Sequence, residues 1–204
     1  MKTRLEIAAS HRWRRVVGFI ENWIGPFDDS SGMDPEELNS VLHAKGISLS
    51  DAIQEWCILS ANWNQCGINV WIPPSRLEVN EGIITVLSDR EGISNWHVAG
   101  IDMHKVDPPV FSWGEPAFPS FSEFVAAMVI NDFLFANDET GEPTELAMEA
   151  RSELAALGTG QLGLDFFTNG PLESATVVAF AYPDKVLAKA RTPAGTAWLE
   201  SRRK

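Results

Sequence analysis

The chain has 204 residues, 45% of them hydrophobic, with eight tryptophans and two cysteines. That length and apolar content build a core without disulfides or metal, which excludes a disordered chain and a small cysteine-stapled scaffold. The net charge of −12 is uneven: residues 1–24 carry +3, residues 185–204 carry +5 and the body between them −20, so the body repels nucleic acid and attracts basic partners.

In chain order, Leu5, Ala8, Ala9, Trp13, Val16, Ile20 and Trp23 recur three or four apart, predicting an amphipathic helix over residues 4–24 that stops at Gly25-Pro26. Nothing in this segment reads as a signal peptide, no apolar run approaches 18 residues, and Cys57 and Cys66 fit a reducing compartment, so a soluble, cytoplasmic protein is expected. Asp34-Pro35-Glu36-Glu37 opens a short helix closed by Gly46. Ser48 and Asp51 open another, with Leu49, Ile53, Trp56, Cys57 and Ser60 as its buried stripe. From Trp63 the period changes. Residues 68–72, 83–87, 96–101 and 110–113 are short β-rich runs between turn residues, which predicts a strand meander. Asp107-Pro108-Pro109 is extended, and Ser120 with Glu123 forms a capping box that starts a buried helix to Phe135. Residues 137–143 read as a loop, Thr144 to Leu157 as an acidic-faced helix, and 158–170 as an irregular Gly-rich stretch. Thr176 to Tyr182, Val186 to Arg191 and Thr196 to Leu199 read as three further strands. The expected fold is α+β: an antiparallel or mixed meander flanked by helices, with a core over about 34–135, an N-terminal helix and a C-terminal extension from about 138, in a single domain over 1–204.

No motif supplies a catalytic set. Gly158-Thr159-Gly160-Gln161-Leu162-Gly163 fits G-x-G-x-x-G, but it follows a predicted helix instead of a strand, so no helix amides would meet a pyrophosphate there. No serine lies in a G-x-S-x-G elbow, and Cys57 and Cys66 lie nine positions apart without a neighbouring histidine. Neither an enzyme, a cofactor nor a bound metal is expected, although His97, Asp102 and His104 are close enough in sequence to form an alternative metal or ligand site. Trp56 is core by periodicity. Trp63, Trp71, Trp96 and Trp113 gather around the meander, either packing the sheet or anchoring a partner inside a rim of acids. On the second reading the candidate partner-binding residues are Asp89, Glu91, Trp96, Asp102, Trp63 and Trp71.

Leu49-Ser50-Asp51-Ala52-Ile53-Gln54-Glu55-Trp56 resembles the Leu-Pro-x-x-Leu-x-x-Phe/Tyr helix of the SUKH superfamily. Ile72-Pro73-Pro74-Ser75-Arg76-Leu77 resembles its next strand and turn, and Glu91-Gly92-Ile93-Ser94-Asn95-Trp96 its Gln-Gly-Val-x-x-Trp strand. Asp107-Pro108-Pro109-Val110 and Pro119 to Phe124 are similar to its closing strand and helix. The resemblance covers residues 47–135, with Ser50 where the family often has proline, and it leaves out both ends of the chain. It implies an α+β domain without enzymatic activity. Many bacterial members resemble immunity proteins that neutralise secreted toxins, often nucleases, while fungal relatives regulate cell-wall synthesis through protein contacts. The expected partner is therefore a protein, such as a basic toxin domain, and neither a nucleic acid nor a membrane. An intracellular adaptor and a ligand-binding protein are the alternatives.

Overall fold

The computed structural model describes residues 2–23, 25, 32–60, 69–135, 142–147, 149–150, 152–153, 166–168, 171–182 and 184–203. The fold is α+β, with six helices and two antiparallel sheets among the described residues. It divides into two compact units, Met1–Trp13 with Phe27–Phe124, and Arg14–Pro26 with Val125–Lys204.

The single N-terminal helix predicted over 4–24 is instead two, α1 (Arg4–Ala8) and α2 (Arg14–Trp23). The apolar spacing continues across the break, but a turn at residues 9–13 lets Arg12 and Trp13 both reach the buried carboxylate of Glu55. A buried charge needs such donors, and a helical period carries no sign of that demand. Helix α3 (Pro35–Lys45) forms where its caps predict: Asp34 accepts from the amides of Glu36 and Glu37, and Gly46 closes it at φ +64. Helix α4 (Asp51–Ser60) buries Ile53 and Trp56, as its periodicity requires. Cys57 is buried beside them, and desolvation pushes its thiol up to about 12, so it is an inert core group. Cys66 lies outside the described residues, as do Trp63 and the 158–163 glycine motif.

The first unit holds the meander. Strands β1 (Asn69–Trp71), β2 (Val79–Asn80), β3 (Ile83–Asp89), β4 (Asn95–Ala99), β5 (Val110–Ser112) and β6 (Glu115–Phe118) form one sheet in the order β1-β3-β4-β5-β6, with β2 also on β3. Ile84, Val86, Leu87, Val98, Val110 and Phe118 are its buried hydrophobic residues. Helix α5 (Phe121–Phe135) starts in this unit. Ser120 accepts from the Glu123 amide at 3.3 Å, the expected half of the capping box, while Asp107 takes the Ser122 amide at 3.0 Å and its hydroxyl at 2.6 Å. An aromatic layer fills the interior: Trp13 stacks on Trp56 at 5.4 Å, Trp71 meets Trp56 at 5.4 Å and Phe124 at 5.7 Å, and Phe118 meets Phe124 at 5.4 Å. Such pairs add about 0.5–1.5 kcal/mol each beyond area burial.

The second unit holds β7 (Thr144–Leu146), β8 (Phe166–Thr168), β9 (Val177–Ala181) and β10 (Val186–Ala190), in the order β7-β10-β9-β8. Residues 144–146 were expected to be helical. They pair instead with Val186 to Ala188 and bury Leu146, and helical residues follow only at 149–150 and 152–153 among those described. Pairing with a strand some 40 residues away overrides local preference here. The strand expected at Thr196–Leu199 is helix α6 (Pro193–Glu200). Its Thr192 cap accepts from the Gly195 amide at 3.1 Å and Pro193 opens it, so the Thr-Pro pair that also suits a turn between strands starts a helix here. In the same unit Phe19 stacks on Trp23, Trp23 donates its indole N–H to the Ala175 carbonyl at 2.8 Å, and the buried Lys189 ammonium donates to the Phe133 carbonyl at 3.3 Å. No helix among the described residues is long and apolar enough to cross a membrane.

Candidate protein-binding surface

Two turns meet at one end of the first sheet. The β3–β4 turn is built by Asp89, whose carboxylate accepts from the amides of Ile93 at 2.8 Å and Ser94 at 2.7 Å, with Gly92 at φ +71. Desolvation raises the Asp89 pKa, but the bonds from Ser94, Ile93 and Gly92 outweigh it and hold the group below its ordinary value. This turn leaves Ile93 59% exposed.

The β5–β6 turn has only two residues, Trp113 and Gly114, between the paired Ser112 and Glu115. Their φ values of +54 and +81 are the signature of a type I′ turn. Gly114 adopts that conformation freely. Trp113 does not, since a left-handed residue with a Cβ costs about 1–2 kcal/mol. Nor does burial compensate, because Trp113 is 73% exposed. The register brings the two turns together: Ser112 pairs with Trp96, and its hydroxyl donates to the Asn95 carbonyl at 3.5 Å, two residues from Ile93. Glu91, Glu115 and Arg90 are exposed around them.

The residues predicted from sequence divide between three places. Asp89 and Glu91 lie at this end, the first as a turn former and the second on the rim. Asp102 lies beyond the opposite end of β4, on a single 3-10 turn (Gly100–Asp102), paired with Lys105 at 2.7 Å. Trp71 and Trp96 are half-buried scaffold residues against Phe124, and Trp63 is outside the described residues. Among the described residues the exposed aromatic is Trp113, which the sequence places with the other meander tryptophans but outside the candidate binding residues. Its signal is the Trp-Gly pair directly after a short strand, where Asn-Gly or Asp-Gly is the usual choice. His97 is half-buried and stacked on Phe111 at 6.0 Å, with desolvation holding its pKa low, and His104 contacts the Ile101 carbonyl at 2.7 Å. Among the described residues no group of three His, Cys, Asp or Glu side chains is placed to hold a metal ion.

The first unit also has a polar cleft of about 400 Å³, lined by Lys2, Ser10, His11, Arg12, Glu55, Asp107 and Ser122. Glu55 accepts from Lys2 at 2.8 Å, from the Trp13 indole at 2.9 Å and from Arg12, and Arg12 also lies 3.6 Å from Asp107. Burial raises the Glu55 pKa, but the bonds from Lys2 and Trp13 and the charges of Arg12 and Lys2 outweigh it, for a net lowering. Both carboxylates have their oxygens occupied by these donors, as expected of a network that fixes the N-terminal turn onto α4.

Fold and surface together define an α+β protein whose most exposed aromatic, among the described residues, stands on a hairpin tip. No protein-family model, curated protein or solved structure matches the chain.

Proposed function

We propose that this chain is a non-enzymatic protein-binding domain that acts in the cytoplasm as an immunity protein of the SUKH type, neutralising a cognate toxin with a basic surface, such as a nuclease. The observation that carries this reading is the uncompensated acidity of the first unit. Among the described residues of that unit, Glu36, Glu37, Asp51, Glu78, Glu81, Glu91, Glu115 and Glu123 are all exposed and none meets a basic side chain, whereas only Lys45, Arg76 and Arg90 are exposed without an acid. A field of one sign draws in a basic partner and speeds its encounter, and it weakens as salt rises. The motif series over residues 47–135 supports the same reading.

The test is co-expression with the C-terminal domain of any large secreted protein encoded beside this gene. Cells should survive that domain only when this chain is present, and the purified pair should bind less tightly as salt rises. Failure to protect against every such domain overturns the proposal. A salt-sensitive complex with a housekeeping protein, in a genome lacking a linked toxin, would favour an adaptor instead.

A further inference from the structure

The geometry points to the hairpin tip of Trp113, with Ile93 beside it, as the anchor of the partner complex, inserted into an apolar pocket that basic side chains surround. This rests on the protein-binding reading above and adds the place and chemistry of contact. Three independent features meet at the tip. Trp113 holds a left-handed conformation at φ +54 that a tryptophan disfavours and that no packing repays, because its ring stands in solvent. Ile93, a second large apolar side chain, is exposed on the adjoining turn. Glu91 and Glu115 flank the two without ionic partners and outnumber Arg90.

Each feature has a use in binding. A tryptophan has large area and only two side-chain torsions to fix, so it concentrates affinity at little entropic cost. The two-residue hairpin holds it rigidly, so little order has to be gained on docking. The acids set the chemistry of the other side: a pocket lined by lysine or arginine gains from them, and an acidic or nucleic-acid surface is repelled. The tip is a protrusion and so seeks a concavity, such as the substrate cleft of a protein that itself binds polyanions.

The experiment uses the purified, catalytically inactivated toxin domain encoded beside the gene, titrated with the full chain and its Trp113→Ala and Glu91→Gln/Glu115→Gln variants. Trp113→Ala should keep the wild-type circular dichroism and melting point and weaken binding at least about 30-fold, mostly through faster dissociation. The double Gln variant should associate several-fold more slowly and lose much of its salt dependence, with dissociation little changed. If the wild-type chain binds and Trp113→Ala binds within about threefold of it, the inference is overturned while the protein-binding reading stands. If the wild-type chain binds none of the neighbouring domains, the reading beneath it fails.

Discussion

Trp13 donates its indole N–H to Glu55 at 2.9 Å while its ring stacks on Trp56 one turn-residue away. One residue thus joins the aromatic interior of the first unit to its buried carboxylate. Removing that carboxylate leaves the Trp13 donor without its acceptor and the Arg12 charge with Asp107 alone, 3.6 Å away. Glu55→Ala should destabilise the first unit by about 1–3 kcal/mol, measured as a shift of the urea midpoint at unchanged slope. A shift below a few tenths of a kcal/mol would show that the network is a surface ornament.

The same group predicts how stability depends on pH. Glu55 titrates below its ordinary value of 4.5 in the folded chain. It therefore contributes stability above the unfolded-state value, and that contribution is lost as pH falls through the lower folded value. Melting curves should decline on acidification below about pH 4.5, and the decline should be shallower in Glu55→Gln. Equal steepness in the two proteins would contradict the assignment.

Asp107 caps α5 through the Ser122 amide and hydroxyl and also lies against Arg12. Asp107→Ala should cost about 0.5–2 kcal/mol, the usual worth of a lost helix cap. Asp107→Asn, which keeps an acceptor for the amide, should recover much of that loss. Identical melting points for the two variants would place the role of Asp107 elsewhere.

Glu81 is a control for Trp113. It occupies φ +51 ahead of Gly82 at φ +78, in the two-residue turn that joins β2 to β3. Asparagine tolerates that conformation better than glutamate. Glu81→Asn should raise the melting point slightly, slow association only slightly as one of the eight exposed acids is lost, and leave dissociation within about twofold, because the turn lies at the end of β3 away from Trp113. Loss of binding in this variant would move the docking surface.

The elements that were legible in the sequence carry their determinants within a few residues. Asp34-Pro35 and Gly46 bound α3 by themselves, and the alternation and turn residues from Ile83 to Val110 spell out the meander. The misread segments owe their structure to distant partners or to one ambiguous signal. Thr144–Leu146 is a strand because β10 offers it a free edge, the helix break at residues 9–13 answers to Glu55, and Thr192-Pro193 fits either a turn or a helix cap. The surface was half legible. Its acids and turns lie at Asp89 and Glu91, but the exposed tryptophan is Trp113, because the two-residue turn carries it past the paired Ser112 and Glu115.

The most direct measurement is the thermal stability of Trp113→Asn beside its ability to protect cells from the neighbouring toxin domain. Asparagine suits the first position of a type I′ turn, and relief of about 1 kcal/mol corresponds to roughly 2–4 °C in a chain of this size. If Trp113 is retained for binding at a cost to the fold, the variant melts higher and no longer protects. A variant that melts lower and protects as well as the wild type would make Trp113 a structural residue and contradict the account.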